Sequence, residues 1–433
     1  MIIFAMMKKV VLATAFMAFM MIAACSGPLP IQEPSQQKYS RVLIYIGEGF
    51  NSLSGYIKDD INDLKGAPSN PMLPSEGSNK AFIVISHLPR SGGDYATATA
   101  PTITRISRDY LGRPICDTLL RMPAGTILTK AENLREALEF VHSEFPSDTY
   151  GMIFSSHGTG WLPAGYYGSD DGGSVFSAGR RKVEGAVPYV EPAPADGIDV
   201  KTFGQEVVDI DGSLWSYEMS LPTLASAIPF RFDYIMLDAC LMGGIETAYE
   251  LRDCTRYLTF SQTEILADGL AYETLLGRLF GETPANVQGA CEDYFNMYDN
   301  KTGTYRSATI SMVDCTKLAP LAECCRDLFS KYRQELFHVN PEDVQGFFRF
   351  GKHWFYDLED ILVQAGISDS DRSRLSDALE DCIVYKAHTD SFMLYFDIKA
   401  YCGLSMYLPS AGSAYLDSYY TGLEWNKATG LVL

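Results

Sequence analysis

The sequence predicts an α/β fold: a mostly parallel sheet covered by helices on both faces, with a mainly helical C-terminal subdomain able to return strands to that sheet. Three observations predict it. Short apolar runs are continuous rather than alternating, as in strands buried on both faces; helical patterns fall between them; and strand alternating with helix demands right-handed crossovers. From Thr283 to Glu380 the pattern turns mostly helical.

The strands are read at Arg41 to Gly47 (RVLIYIG), Ala81 to Ser86 (AFIVIS), Tyr150 to Ser155 (YGMIFS), Phe232 to Leu237 (FDYIML) and Tyr257 to Ser261 (YLTFS). Each is bounded by glycine, proline or charge. Helical periods occupy Ser52 to Leu64, Lys130 to Phe145, Leu221 to Ile228 and Gly243 to Leu251. Further periods run over Ala285 to Tyr298, Lys317 to Phe337 and Ser373 to Tyr385. Two late strand-like runs, Phe392 to Asp397 and Gly403 to Leu408, are candidates to extend the same sheet. The expected organisation is a core over 41–300 with a long loop at 163–213, then a subdomain over 301–433. A glycine-, aspartate- and proline-dense loop of that length inside a compact domain is usually functional or disordered.

The N-terminus reads as an address. Lys8 and Lys9 precede an uncharged apolar run from Val10 to Ala24, followed by Cys25, Ser26 and Gly27. Fifteen helical residues span roughly 22 Å, short of the ~30 Å hydrocarbon core. A cleaved export signal over 1–24 fits better than a membrane span. Small residues directly before a cysteine resemble the lipobox of bacterial lipoproteins, which would make Cys25 the lipidated first residue of the mature chain. The proline- and glutamine-rich stretch that follows, to about residue 40, reads as a tether. The expectation is a domain anchored by lipid to the bacterial cell envelope, periplasmic or on the surface, or otherwise secreted.

Lysine plus arginine number 35 against 54 aspartates and glutamates, a net charge of −19. No compensating basic face is visible, so nucleic-acid binding is disfavoured and cationic peptides are the better match. The ten cysteines are irregularly spaced and lack any CxxC pair, so neither a disulfide framework nor a structural zinc site is expected. Most, including Cys116, Cys254, Cys291, Cys315, Cys324, Cys382 and Cys402, lie in apolar stretches and are expected in the core. Nothing points to an oligomer, and a monomer is expected.

Parallel sheets bind ligands beyond the carboxyl ends of their strands. At two such ends stand reactive residues. The Tyr150 run leads into Ser156, His157, Gly158, Thr159, Gly160 and Trp161; the Phe232 run leads into Asp238, Ala239 and Cys240, then Leu241, Met242, Gly243 and Gly244. A thiol between a strand end and a helix N-terminus is placed to ionise, and a neighbouring imidazole can protonate a leaving amine. Backbone N–H groups near Gly158 and Cys240 could hold an oxyanion.

The phrases FSSHGTGW and DACLMGGIETAYEL, with YLTFSQ, ADGLAY and GLSMYLP after them, resemble the clostripain (C11) family of clan CD cysteine peptidases. That resemblance implies a caspase-like fold, His157 as acid/base partner, Cys240 as nucleophile, and cleavage after arginine or lysine. It also implies Asp238 and Asp268 as the acidic base of the pocket for the basic side chain. Leu270 and Ala267 replace the tryptophan and glycine usual around the second aspartate. The family commonly cuts itself between histidine and cysteine, so one of the basic residues of that loop, Arg180, Arg181, Lys182 or Lys201, is the implied processing site, with Arg181 or Lys182 the expected one. No organic cofactor is implied. Calcium, which some relatives use, could be held by aspartates in Ser169 to Gly172 or Asp209 to Gly212, though neither stretch has EF-hand spacing.

Two other readings stand beside the peptidase. One is an inactive caspase-like surface lipoprotein that binds peptides or glycans. The other is a thiol acyl transferase, such as an amidase acting on cell-wall peptides.

Overall fold

The computed structural model describes residues 38–66, 72–166, 205–210, 213–349 and 353–433. The export signal, Cys25, most of the tether, Arg181, Lys182 and the aspartates of Ser169 to Gly172 lie outside the described residues, as do 211–212.

The first strands are β1 (Arg41–Glu48), β2 (Lys80–His87), β3 (Thr102–Arg108), β4 (Pro114–Arg121) and β5 (Tyr150–Ser155), with helices α1 (Ser54–Lys65) and α2 (Ala131–Glu144) between them. The hairpin β6 (Gln205–Ile210) and β7 (Ser213–Glu218) follows, then α3 (Leu221–Ala227), β8 (Phe232–Asp238), α4 (Ile245–Glu250) and β9 (Thr255–Phe260). Beyond these come α5 (Tyr272–Leu276), α6 (Val287–Asp299), β10 (Thr309–Asp314), α7 (Leu318–Lys331), β11 (Tyr356–Asp357), α8 (Leu358–Gln364), α9 (Asp369–Cys382) and β12 (Ile383–His388). The chain closes with β13 (Ser391–Phe392), β14 (Phe396–Asp397), β15 (Ser405–Met406), α10 (Ala414–Tyr420) and α11 (Glu424–Thr429).

One nine-stranded sheet runs in the order β12-β10-β9-β8-β5-β1-β2-β3-β4. Its five central strands, β9-β8-β5-β1-β2, are parallel, while β3 and β4 at one edge and β10 and β12 at the other are antiparallel. The chain steps one way from β1 to β2 and the other way to β5, so right-handed crossovers place α1 and α2 on opposite faces. All eight residues of β1 are buried, as a strand covered on both faces requires.

The five central strands are those the apolar runs predict. The edge strands differ. β3 alternates in burial and β4 is mostly exposed, so neither contains a continuous apolar run. The helical period read through Tyr385 stops at Cys382, and Ile383–His388 becomes an edge strand. The late runs at 392–397 and 403–408 do not join the main sheet: β13 pairs with β14, and β15 with β11. It is β10 and β12 that bring the C-terminal part of the chain back to the sheet.

Helix ends are set locally. Ser220, Asn286, Asp357 and Ser368 each accept a hydrogen bond from a first-turn amide, satisfying one of the donors a helix start leaves open. All nine described cysteines are free thiols. The expectation of a core position fails for Cys116, which lies exposed on the edge strand β4, and Cys254 is half-buried. No helix among the described residues is long and apolar enough to cross a membrane.

Candidate active site

The register of β5 against β8 sets the site. Ser155 pairs with Asp238 in parallel, so His157 and Cys240 each stand two residues beyond a paired position on adjacent strands. Adjacent strands run about 4.8 Å apart, which brings the two turns together. Their backbones touch: a Cβ built on Gly158 would lie 2.1 Å from the Cys240 carbonyl oxygen and 2.7 Å from its amide nitrogen. The two amides expected to serve an oxyanion are therefore neighbours.

The turn that carries Cys240 is held from three sides. Leu241 takes a positive φ of 60°, a strained conformation for a branched side chain, and its amide donates to Thr263 O at 2.9 Å. Gly243 donates to Ser261 O at 2.7 Å, and Ser405 of β15 donates to Gly243 O at 2.9 Å. Gly160, with φ 59°, lies so close that a Cβ there would stand 2.6 Å from Leu241 O. Trp161 then packs its ring 4.7 Å from Tyr407 and 5.1 Å from Tyr420. The late GLSMYLP segment thus braces the cysteine turn rather than widening the sheet.

The Cys240 sulfur accepts from the Ile265 amide at 3.2 Å. The sulfur also stands 3.7 Å from the Ile265 carbonyl oxygen, to which the thiol can donate. α4 begins at Ile245, five residues past the cysteine, and the amide that bonds the sulfur comes from the segment after β9. Cys240 is 0% exposed and His157 3%, so the sulfur is shut from solvent in this conformation.

The two acids assigned to the pocket sit differently. Asp238 is fully buried and accepts from Ser155 Oγ at 2.9 Å and from the Tyr272 hydroxyl. Asp268 is exposed and pairs with Lys301 at 2.9 Å, the ammonium lying 4.6 Å over the Tyr298 ring. Tyr298 stands within electrostatic reach of both: burial first, then its neighbours Tyr294, Asp268 and Asp238, raise its pKa well above the usual phenol value.

Three further residues shape the site without having been singled out in the sequence. Ser52 Oγ lies 3.2 Å from His157 Nε2. Gln262, fully buried, donates to Gly403 O at 2.6 Å and Ser311 Oγ at 3.1 Å and accepts from the Tyr401 hydroxyl. Glu246 accepts from the Tyr407 amide at 2.8 Å and the Tyr420 hydroxyl at 2.7 Å, and burial pushes its pKa up to about 7. The glutamine in YLTFSQ and the glutamate in GGIETAYEL were the available signals. Among the described residues no three His, Cys, Asp or Glu side chains converge as a metal site.

The model of the clostripain family, Peptidase C11, matches residues 211–426. Among solved structures, an inactive zymogen C11 protease from Parabacteroides distasonis is 25% identical, with a TM-score of 0.69 over 91% of this chain and 98% of that one. A secreted C11 cysteine protease from Bacteroides thetaiotaomicron, iotapain, is 20% identical, with a TM-score of 0.70 over 90% and 99%. A secreted C11 cysteine protease from the same organism in complex with an irreversible peptide inhibitor is also 20% identical, with a TM-score of 0.68 over 90% and 98%. The last two support the caspase-like fold. No curated protein matches the chain.

Proposed function

The chain belongs to the clostripain family of clan CD cysteine peptidases, and from that premise we propose that it is an endopeptidase cutting after arginine or lysine through a Cys240/His157 dyad. The observation that carries the dyad is the β5–β8 register, which sets the two side chains at equal offsets past a paired strand position with Gly158 against the Cys240 backbone.

In the proposed reaction the Cys240 thiolate, supported by the Ile265 amide, attacks the scissile carbonyl carbon. A C–S bond forms, and the oxyanion is held by the amides of Gly158 and Cys240. His157, carrying the proton lost by the thiol, gives it to the amine as the C–N bond breaks. Water deprotonated by the imidazole then hydrolyses the thioester, and the acid product and thiol are restored.

Basic specificity rests on Asp268 and Asp238. Asp268 already holds an ammonium, that of Lys301, with an aromatic ring beneath it. A substrate lysine or arginine would compete for that carboxylate, and Asp238 would add charge from beneath Tyr272. The shut-off Cys240 sulfur supports a form that must open before it cuts; cleavage of the chain at Arg181 or Lys182 is the proposed trigger. Export with a lipid at Cys25 is proposed on the Lys8 to Cys25 pattern alone.

The test is hydrolysis of peptides ending in arginine, lysine, aspartate or leucine by the purified chain, with mass analysis of its own fragments. Cleavage confined to basic residues, lost in Cys240→Ala and weakened in Asp268→Ala, is expected. A chain that neither cuts nor labels with a basic peptide electrophile, processed or intact, would leave a peptide-binding surface protein instead.

A further inference from the structure

We infer that Ser52 is a positioning residue for His157, accepting a hydrogen bond from Nε2–H and so leaving Nδ1 as the nitrogen that exchanges the proton with Cys240. The inference rests on the dyad reading above.

The geometry begins with the contact itself, 3.2 Å between Ser52 Oγ and His157 Nε2 across 105 residues of sequence. The imidazolium formed when His157 takes the thiol proton donates from both ring nitrogens, and the Ser52 hydroxyl can accept from the one it faces. A general base works only in one tautomer, and the partner on its far nitrogen selects it.

Ser52 is held on a turn that leaves it little freedom. The Asn51 side chain accepts from the Leu53 amide at 2.8 Å and donates to Glu48 O at 3.0 Å, fixing the chain on both sides of Ser52. Ser156, next to His157, also approaches Glu48 O, at 3.4 Å. The turn and the histidine strand are therefore tied to one carbonyl.

A second element clamps the same turn. The Val207 amide of β6 donates to Phe50 O at 2.8 Å. The Phe50 ring stacks on His87 at 4.5 Å and 20°, and His87 Nδ1 meets Glu206, whose other oxygen accepts from Thr129 N and Oγ1 at 3.0 Å each. The hairpin between the two sequence motifs thus reaches His157 through Phe50 and Ser52. A hydroxyl on a turn secured this way is preorganised, which is what a group orienting a catalytic ring requires.

Ser52 is exposed, so its removal should leave folding intact. Steady-state hydrolysis of a basic peptide substrate by the full chain is compared for wild type, Ser52→Ala, Ser52→Thr and His157→Ala, with thermal melts on each. Loss of one hydrogen bond to a group that becomes charged corresponds to roughly a ten- to hundredfold fall in kcat. The expected result is that fall in Ser52→Ala with KM within about twofold, an unchanged melt, and recovery of most of kcat in Ser52→Thr. Activity of Ser52→Ala within twofold of wild type while His157→Ala is inactive would overturn the role of Ser52 and leave the dyad standing. A loss that threonine does not restore would also overturn it. Full activity in His157→Ala would remove the dyad and this inference together.

Discussion

Gly158 and Cys240 meet backbone to backbone, closely enough that the space a side chain on Gly158 would fill is taken by the Cys240 carbonyl. Neither strand end can yield without breaking the Ser155–Asp238 register beneath it. Gly158→Ala is therefore expected to push the His157 and Cys240 turns apart. Overpacking of this kind costs about 1–3 kcal/mol, and a displacement of about 1 Å at a reacting centre can cost about a hundredfold in rate. Melting and kcat/KM on the same sample check both, and a fully active Gly158→Ala would deny that the contact sets the site.

Glu246 makes stability depend on pH. Its folded pKa, about 7, lies above the ordinary carboxylate value because burial disfavours the charge, more than its hydrogen bonds offset. The folded state therefore binds a proton that the unfolded state has released between about pH 4.5 and 7. This contribution to stability is present at the acid end and is lost as pH rises to about 7. Glu246→Gln keeps an acceptor for Tyr407 and Tyr420 while removing the charge. Denaturant unfolding at pH 5 and pH 8 should show the variant gaining on wild type at the higher pH, by about 1–3 kcal/mol. An equal difference at both values would refute the assignment.

Arg349 and Glu264 form an ion pair at 3.0 Å with side chains 2% and 0% exposed, one residue before the Ile265 amide that faces Cys240. Glu264→Ala strands a buried guanidinium, and the expected loss is about 3–5 kcal/mol. Pairing Glu264→Leu with Arg349→Met should recover most of it, since an apolar pair of similar volume carries no desolvation cost. Urea midpoints of the single and double variants decide the matter.

The thiols should divide sharply by reactivity. Burial pushes Cys291, Cys315 and Cys382 up to about 12 and Cys254 up to about 11, so they stay protonated at neutral pH. Cys116 alone among the described cysteines is exposed. A small maleimide at pH 7.5 is expected to label Cys116 within minutes and Cys291, Cys315 and Cys382 only after unfolding, read residue by residue by mass spectrometry.

What the sequence reveals and what it hides follow from distance along the chain. The five central strands are legible because burial on both faces makes each a continuous apolar run, as in RVLIYIG. β3, β4 and β12 are not: β4 and β12 lie largely open to water at the two edges of the sheet, and in β3, beside β4, the buried positions are broken by partly exposed ones, so their patterns merge with loop or helix. His157 and Cys240 are legible because each stands within three residues of the end of such a run with glycine close behind, Gly158 after the one and Gly243 and Gly244 after the other. Ser52 is silent, since its meaning lies in a contact 105 residues away, and Glu246 meets Tyr420 across 174. No local period encodes a pairing of that kind. Asp238 and Asp268 are legible as acids in a motif, yet only the packing shows one sealed beneath Tyr272 and the other on the surface with Lys301.

The strand order carries one more consequence. Every strand of the main sheet on the β4 side, through β5, comes from before the 163–213 segment, and every strand on the β8 side, through β12, comes from after it. The polypeptide therefore divides there into two pieces whose strands pair in the main sheet at β5 against β8, with His157 on one lip and Cys240 on the other, while side-chain contacts such as Trp161 on Tyr407 and Tyr420 also cross between them. On the proposed dyad neither piece owns a complete reactive centre, which would exist only where they are zipped together. Co-expressed as separate polypeptides, the two should reconstitute by strand complementation, and the chemistry would then report their assembly as directly as a split enzyme reports the meeting of its parts.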